Sequence, residues 1–283
     1  MQLYLEANAQ YTQLPGYGRS TPAYKHDKRV IGESVAEALA LYLGYNITNT
    51  DRIRIILVGH DRGARVAHRL ALDISHGIDG EHQVEVYNMF DLKGLISMDI
   101  LPTAEQWKIF GATSKNMARS FHWPLLANVD LATEMIRAFG GGKWCMEMMR
   151  RWSGDNEEGQ RSLQRGNAFE VYGRYFDQES VIRATSEDYR AGAEEDVVTQ
   201  EGDQEVSKQL QVPTLVLYSS DYSGKRYGPQ MKQIWSWWIA DPEQLEVEEI
   251  TDSGHFIAEE QPRQTYEAVK RFYEKVEASE STM

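Results

Sequence analysis

One short motif, Gly59-His60-Asp61-Arg62-Gly63, places an ionisable side chain between two glycines, directly after the apolar run at residues 53–58. A small-x-nucleophile-x-small turn between a buried strand and a helix holds its central residue in a strained conformation above the sheet. We therefore predict that Asp61 is a nucleophile, with both glycines allowing close approach of strand and helix. The alternative is an ordinary helix N-cap.

The carboxylate at this position restricts the available chemistry. Attack on an acyl carbon would give an anhydride, whereas attack on a saturated carbon that bears a leaving group gives an ester that water can cleave. The sequence therefore predicts that Asp61 displaces a leaving group from carbon.

A histidine and a second carboxylate complete the candidate machinery. His255 follows the last predicted strand, where open α/β sheets gather their active sites, and imidazole can activate water near neutral pH. We predict that it is the general base, although a solvated loop histidine is the alternative. Two acids compete to orient it: Asp99, at the end of an apolar strand, and Asp221, in a polar loop that would solvate it. The cost of burying an unpaired charge favours Asp99.

The elements that position these residues are predicted from apolar patterning. The sequence predicts four strands of a mostly parallel sheet, at residues 53–58, 94–100, 212–218 and 245–250, and the first of them is almost continuously apolar. Helices are expected before the first strand, after Gly63, and at residues 262–277. In the first of them, Val35, Leu39, Tyr42 and Leu43 recur at helical spacing.

Residues 103–209 show helix-like patterns and no clear strand. The predicted fold class is therefore α/β. Residues 1–102 and 210–283 would form one core, and residues 103–209 an inserted helical cap over the sheet.

Composition limits the partners. The chain has 283 residues, a net charge of -13 and a pI near 5.1, so its surface repels phosphate backbones and anionic lipids. We expect a small-molecule substrate, no nucleic acid and no membrane partner, and a homodimer is one assembly that the sequence permits. Cys145 is the single cysteine, and no cofactor or metal site is expected. With no secretion signal or apolar span visible, a cytoplasmic location is expected.

The motifs resemble the fluoroacetate dehalogenases, a family within the α/β-hydrolase superfamily that hydrolyses haloacetates through an aspartyl ester. The resembling blocks follow the same order along most of the chain. They are Leu14-Pro15-Gly16-Tyr17-Gly18, Gly59-His60-Asp61-Arg62-Gly63-Ala64-Arg65, Asp99-Ile100-Leu101-Pro102-Thr103, His122-Trp123, Asp188-Tyr189-Arg190-Ala191-Gly192-Ala193 and Ser253-Gly254-His255-Phe256. The resemblance implies an α/β-hydrolase fold with an inserted helical cap.

It also implies a role for each site residue. Asp61 would attack the carbon, while Asp99 orients His255 and His255 activates water. Further residues would hold the substrate carboxylate, namely Arg62 and Arg65, and the departing halide, namely His122, Trp123 and Tyr189. Without the resemblance, we would expect the two arginines to form ion pairs at the surface and the His-Trp pair to pack inside the protein with no role in binding.

Two alternative functions stay open. An epoxide hydrolase shares the aspartate nucleophile and the histidine base but uses two cap tyrosines to protonate the epoxide oxygen, and the candidates here are Tyr172, Tyr175 and Tyr189. Two arginines would be left unpaired by an uncharged epoxide, which speaks against that reaction.

The second alternative arises at the amino end. An α/β-hydrolase normally has several strands before the Pro-Gly-Tyr-Gly loop, and one of them leads to a His-Gly loop that supplies an oxyanion donor. Only 14 residues precede that loop here, and His76-Gly77 follows the nucleophile helix. We therefore expect the N-terminal strands to be missing and ester hydrolysis to be slowed by ~100-fold or more. A catalytically impaired remnant that only binds a small carboxylate would fit.

Overall fold

The computed structural model describes residues 9–45, 51–77 and 85–280. The segment searched for a secretion signal begins in residues 1–8, which lie outside this description. Four strands form one sheet in the order β1-β2-β3-β4, and every pairing is parallel. The strands are β1 (Ile53–His60), β2 (Phe90–Met98), β3 (Thr214–Ser219) and β4 (Leu245–Ile250).

All four predicted strands are present, and the largest difference in their boundaries is at the start of β2. β2 begins at Phe90 rather than at residue 94 and ends at Met98, so Asp99 lies just beyond it. The first residues of β2 alternate between apolar and polar. The polar ones, Asp91 and Lys93, are only partly buried and form an ion pair at 2.9 Å. A search for continuous apolar runs misses an alternating start of this kind.

The helices surround the sheet and fill the segment between β2 and β3. They are α1 (Lys28–Tyr42), α2 (Arg62–His76), α3 (Thr103–Gly111), α4 (Ser114–Arg119), α5 (His122–Ala127), α6 (Val129–Phe139), α7 (Gly141–Trp152), α8 (Glu157–Leu163), α9 (Ala168–Phe176), α10 (Glu179–Ala193), α11 (Glu195–Glu205), α12 (Lys225–Ser236), α13 (Ile257–Glu260) and α14 (Pro262–Glu280). Short 3-10 or π turns link some of them.

Both faces of the central strands are covered. On one face, strand residues pack against α2 and against Trp235 and Trp238, which lie on or just after α12. On the other face, Ile96 and Leu215 pack against α14 through Phe272. This two-sided burial explains why β2 and β3 read as continuous apolar runs. β1 pairs with β2 alone among the described residues, and its Val58 is 53% exposed.

The predicted helix α1 is present, but only part of its regularly spaced apolar set is packed: Leu39 contacts the core and is partly buried. Tyr42 is 69% exposed and the adjoining Leu43 is 45% exposed, whereas Ala36 and Ala40 are buried. The buried residues of α1 include Ile31 as well as small residues, and a Cβ at Gly32 would lie 3.4 Å from the Cβ of Leu70 on α2. Close packing of two helices favours small side chains, so the largest apolar residues do not mark the contact.

The segment between β2 and β3 is helical, as its sequence pattern predicted. It has an apolar cluster of its own, which includes Trp123 and Tyr189 packed with Phe110 and Ile182. The predicted exit from the sheet at Pro102 is also confirmed, since α3 begins at the next residue. Within the described ranges, no helix is long and apolar enough to cross a membrane.

Candidate active site

The turn after β1 holds Asp61 in a strained conformation. Its backbone has φ 45° and ψ -114°, a region that non-glycine residues rarely occupy. A Cβ at Gly59 would approach the backbone of Gly63 to 2.4 Å, so this position excludes any side chain, whereas a Cβ at Gly63 would meet nothing within 4 Å. The close approach therefore requires only the first glycine, contrary to the prediction for both.

The carboxylate of Asp61 does not cap α2, since it makes no side-chain hydrogen bond to the start of that helix. It points instead toward His255, with 3.6 Å between Asp61 Oδ2 and His255 Nε2. The N-cap alternative does not describe this side chain.

Asp99, not Asp221, contacts the histidine. His255 Nδ1 lies 2.7 Å from Asp99 Oδ2, while Asp99 Oδ1 accepts hydrogen bonds from the backbone N–H and the hydroxyl of Ser219, both at 2.8 Å. Asp99 is 2% exposed. Asp221 pairs with Lys225 at 2.8 Å. Because both carboxylate oxygens of Asp99 are hydrogen-bonded, Asp99 holds the ring of His255 in one orientation.

The charges of these groups depend on one another. Burial alone raises the pKa of Asp61, but contact with His255 and the charge of Arg62 outweigh it and hold that pKa well below its ordinary value of 3.8. Burial alone lowers the pKa of His255, but Asp61 and Asp99 outweigh it and raise it to about 9. Near neutral pH, the pair is therefore an ionised carboxylate beside a protonated imidazole.

The two predicted arginines lie on α2 and both contact the ring of Trp123. Arg65 lines the central cavity and donates to Leu101 O at 3.2 Å and to Thr103 Oγ1 at 3.1 Å. Because these partners are neutral, burial together with the charge of Arg62 lowers the pKa of Arg65 to about 10. The guanidinium carbons of Arg62 and Arg65 lie 5.2 and 4.8 Å from the centroid of Trp123.

Arg62 is held differently and is not among the side chains that line the cavity. Its Nη1 donates to Asp188 Oδ2 at 3.3 Å, and its guanidinium carbon lies 4.1 Å from the centroid of Tyr189. Asp188 also accepts from the hydroxyl of Tyr17 at 3.1 Å and contacts the ammonium of Lys28. Arg62 thus has an internal counter-charge that Arg65 lacks.

The three predicted halide ligands are brought together. His122, Trp123 and Tyr189 are all buried and all line the cavity. The centroid of Tyr189 lies 5.4 Å from that of Trp123 and 5.9 Å from that of His122. Burial lowers the pKa of His122 to about 3, so its ring is neutral. This wall offers uncharged polar groups and aromatic edges.

The cavity between these groups has a volume of about 20 Å³, a little more than one water molecule needs. Only a small substrate fits such a site. Its wall includes residues that the sequence did not single out: Gln106, Phe110, Trp152, Tyr222 and Tyr227. They come from four separate segments, and no local spacing indicates that they meet.

Two of the candidate cap tyrosines lie away from the cavity, and one residue near the site, His60, was not predicted from the sequence. Tyr172 donates to Glu259 at 2.8 Å, and neither it nor Tyr175 is among the cavity-lining residues. His60, the neighbour of the nucleophile, donates from Nε2 to the carbonyl of His255 at 2.7 Å and remains neutral, since burial lowers its pKa. Its place inside the glycine-flanked motif was the only available signal.

Comparisons with known proteins identify the family of this chain. The profile of the alpha/beta hydrolase family matches residues 8–268. The chain belongs to the alpha/beta hydrolase family. This alpha/beta hydrolase is 26% identical over 221 residues to a fluoroacetate dehalogenase from Burkholderia sp, a match that covers 77% of this chain and 63% of that protein. It therefore spans less than two thirds of the length of that curated relative.

Solved structures also resemble this alpha/beta hydrolase. A protein of Nostoc sp PCC 7120, described as a putative alpha/beta hydrolase, is 29% identical with a TM-score of 0.74, over 92% of this chain and 79% of that one. A Pseudomonas aeruginosa protein, described as a putative epoxide hydrolase, is 25% identical with a TM-score of 0.71, over 94% and 78% of the two chains. The predicted α/β-hydrolase fold is confirmed, and the named relatives differ in their reactions.

Proposed function

We propose that this protein hydrolyses small 2-haloacids by displacing halide with Asp61 and then hydrolysing the resulting ester with the help of His255. The observation that carries this proposal is the meeting, around one small cavity, of a strained carboxylate, a histidine fixed by a second carboxylate, and a guanidinium whose hydrogen-bond partners among the described residues are neutral. The resemblance to fluoroacetate dehalogenase agrees with it.

In the first step, an oxygen of Asp61 attacks the carbon that bears the halogen. A carbon–oxygen bond forms, the carbon–halogen bond breaks, and the halide leaves with the bonding electrons. The low pKa of Asp61 keeps this carboxylate ionised. We assign Arg65 to the substrate carboxylate, with Arg62 behind it, because a buried guanidinium whose partners are neutral gains most from an anion.

The halide would leave toward the helical insertion, which we propose serves as a cap. His122, Trp123 and Tyr189 line that wall, and donors aimed at developing negative charge typically stabilise a transition state by ~3 kcal/mol each. The cap would also keep bulk water from the small cavity, which strengthens every electrostatic contact inside it.

In the second step, water cleaves the ester. Alkylation removes the charge of Asp61, one of the two carboxylates that raise the pKa of His255, so this pKa falls and the imidazolium releases its proton to solvent. The neutral imidazole is then free to act as a base. His255 Nε2 would accept a proton from water as the oxygen attacks the carboxyl carbon of Asp61. The products are a hydroxy acid, a halide and a proton, and Asp61 returns as a carboxylate.

An epoxide hydrolase is the second candidate. Tyr189 and Tyr222 both line the cavity beside Asp61, and two tyrosine hydroxyls are what protonation of an epoxide oxygen requires. The similarity to a structure described as a putative epoxide hydrolase points the same way. Against it stands buried Arg65, which an uncharged epoxide would leave without a counter-charge.

One experiment separates these functions. The wild-type protein is incubated with fluoroacetate, chloroacetate or propylene oxide, an epoxide of similar size, halide release and diol formation are followed, and the protein is analysed by mass spectrometry. We expect halide release by the wild type, a trapped ester on Asp61 in His255→Gln, and a loss of about 10⁴-fold or more in Asp61→Asn.

Each of the other outcomes excludes at least one of the proposed functions. Diol formation without halide release would replace the dehalogenase proposal with the epoxide hydrolase. If none of the three compounds reacts and His255→Gln carries no adduct, both enzymatic proposals are wrong. Calorimetric titration with acetate would then test the binding of a small carboxylate.

A further inference from the structure

The buried carboxylate of Glu260, on α13, joins two segments that are far apart in the sequence. Its Oε2 accepts from the backbone N–H of Gly154 at 2.8 Å and of Gly254 at 2.9 Å, and its Oε1 accepts from Phe256 N–H at 3.1 Å. Gly154 lies in the helical insertion, just after α7, whereas Gly254 and Phe256 flank His255. Glu260 is 2% exposed.

These two segments are in direct backbone contact. A Cβ on Gly254 would lie 2.1 Å from the backbone nitrogen of Gly154, and a Cβ on Gly154 would lie 2.6 Å from that of Gly254. In addition, the backbone N–H of His255 donates to the carbonyl of Trp152 at 2.8 Å. Since Trp152 lines the cavity, the insertion and the histidine loop share one junction beside the site.

A carboxylate suits this junction because three N–H groups converge on it. Hydrogen bonds to an ionised acceptor are about twice as strong as neutral ones, and each buried N–H left without a partner costs about 1–3 kcal/mol. An amide has only one acceptor oxygen, and its NH₂ group would face a backbone N–H. Glutamine at position 260 therefore fills the space without satisfying the junction.

We propose that Glu260 is a positioning residue for His255, which fixes the histidine loop against the helical insertion and so aligns the imidazole for ester hydrolysis. This inference rests on the proposed function of His255. Asp61 is positioned by β1 and α2, and Glu260 bonds to the backbone of neither. Loss of the Glu260 carboxylate should therefore slow the second step and spare the first.

The test compares Glu260→Gln with Glu259→Gln, a matched control on the same helix whose carboxylate accepts from Tyr172. Rapid mixing with chloroacetate gives the rates of chloride release and of ester decay. We expect Glu260→Gln to slow ester decay by about 10- to 100-fold while alkylation changes by less than about threefold, because small misplacements of a catalytic group have effects of this size. Glu260→Asp should recover part of the loss, and Glu259→Gln should match the wild type.

A purely structural role predicts a different result, in which both steps slow together and in proportion to a fall in melting temperature. That result, or a Glu260→Gln protein that behaves like Glu259→Gln, would overturn the inference. A wild-type protein that forms no ester would instead exclude the proposed function. In that case NMR titration of His255 still decides: displacement from Asp61 and Asp99 should lower its pKa from about 9 in Glu260→Gln and not in Glu259→Gln. An unchanged titration would refute the inference.

Discussion

The two walls of the cavity are built on different principles. On the sheet side, Asp99 has both oxygens engaged, and His255 has Nδ1 bonded to it and Nε2 facing Asp61. On the other side, buried polar atoms have no hydrogen-bond partner within the described part of the chain. On the cavity-lining side chains these atoms are Arg65 Nε, Gln106 Nε2 and His122 Nδ1, and the neighbouring Arg62, which does not line the cavity, adds Nη2.

This difference indicates what each wall is for. Satisfied groups on the sheet side hold one geometry, as a reacting constellation requires. Buried donors without partners are costly, so their concentration on the opposite wall favours a ligand that supplies acceptors. The guanidinium atoms can only donate, which makes an anion the matching ligand.

The largest effect on this comparison should come from Arg65→Met. Loss of a charged hydrogen bond of about 2–3 kcal/mol should raise the KM for chloroacetate by about 100-fold, with a much smaller change in kcat. Because burial lowers the pKa of Arg65, the folded state disfavours its charge, and we expect the melting temperature to stay equal or to rise.

Arg69→Met on the same helix is the control with the opposite pattern. Arg69 pairs with Asp73 at 2.7 Å and also with Asp203, so its loss should lower the melting temperature and leave KM unchanged. Equal KM values for Arg65→Met and the wild type would show that Arg65 does not bind the substrate.

A smaller effect is expected from Asp188→Asn, which removes the counter-charge that holds Arg62. We expect KM to rise about tenfold, because a loosened guanidinium is less well aligned behind the cavity. The melting temperature should also fall, since buried Lys28 keeps only Asp196, at 3.0 Å, as a charged partner.

Glu187→Gln provides the matched control for Asp188→Asn. Glu187 is adjacent and pairs with the partly exposed Arg190 at 2.9 Å, so the change should stay within about 0.5 kcal/mol in stability. If Asp188→Asn leaves KM at the wild-type value, Arg62 does not depend on Asp188 for its role.

The smallest effect concerns the pH dependence of stability on the sheet side. The pKa of His255 is raised from 6.5 to about 9 in the folded protein, so this group's stabilisation is fully present below about pH 6.5 and is lost as pH rises through about 9. The melting temperature should therefore decline between these values, and the decline should be shallower in Asp61→Asn. A difference of 1 kcal/mol shifts the melting temperature by about 2–4 °C, which thermal scans at constant ionic strength resolve. Parallel curves for the two proteins would contradict the assigned charge coupling.

Much of the fold could be predicted because local patterns encode it. The apolar runs in β1 and β3 and the helical periodicity between β2 and β3 are local patterns of this kind. Which apolar residues of α1 are packed could not be predicted, because close contact with α2 buries Gly32 and Ala36 and leaves Tyr42 exposed. The glycine requirement at position 63 failed for a related reason, since only the folded turn shows which backbone is approached.

For the site, the sequence by itself determined the nucleophile candidate and its base, because a glycine-flanked aspartate after an apolar strand is a local signal. Only the tertiary structure decided that Asp99 and not Asp221 meets His255, that Arg65 and not Arg62 faces the cavity, and that Glu260 joins the insertion to the histidine loop. The physical reason is the distance along the chain over which each interaction acts. Strand, turn and helix preferences act over a few neighbouring residues, whereas the partner of a buried charge is set by chain segments that meet only when the core has packed.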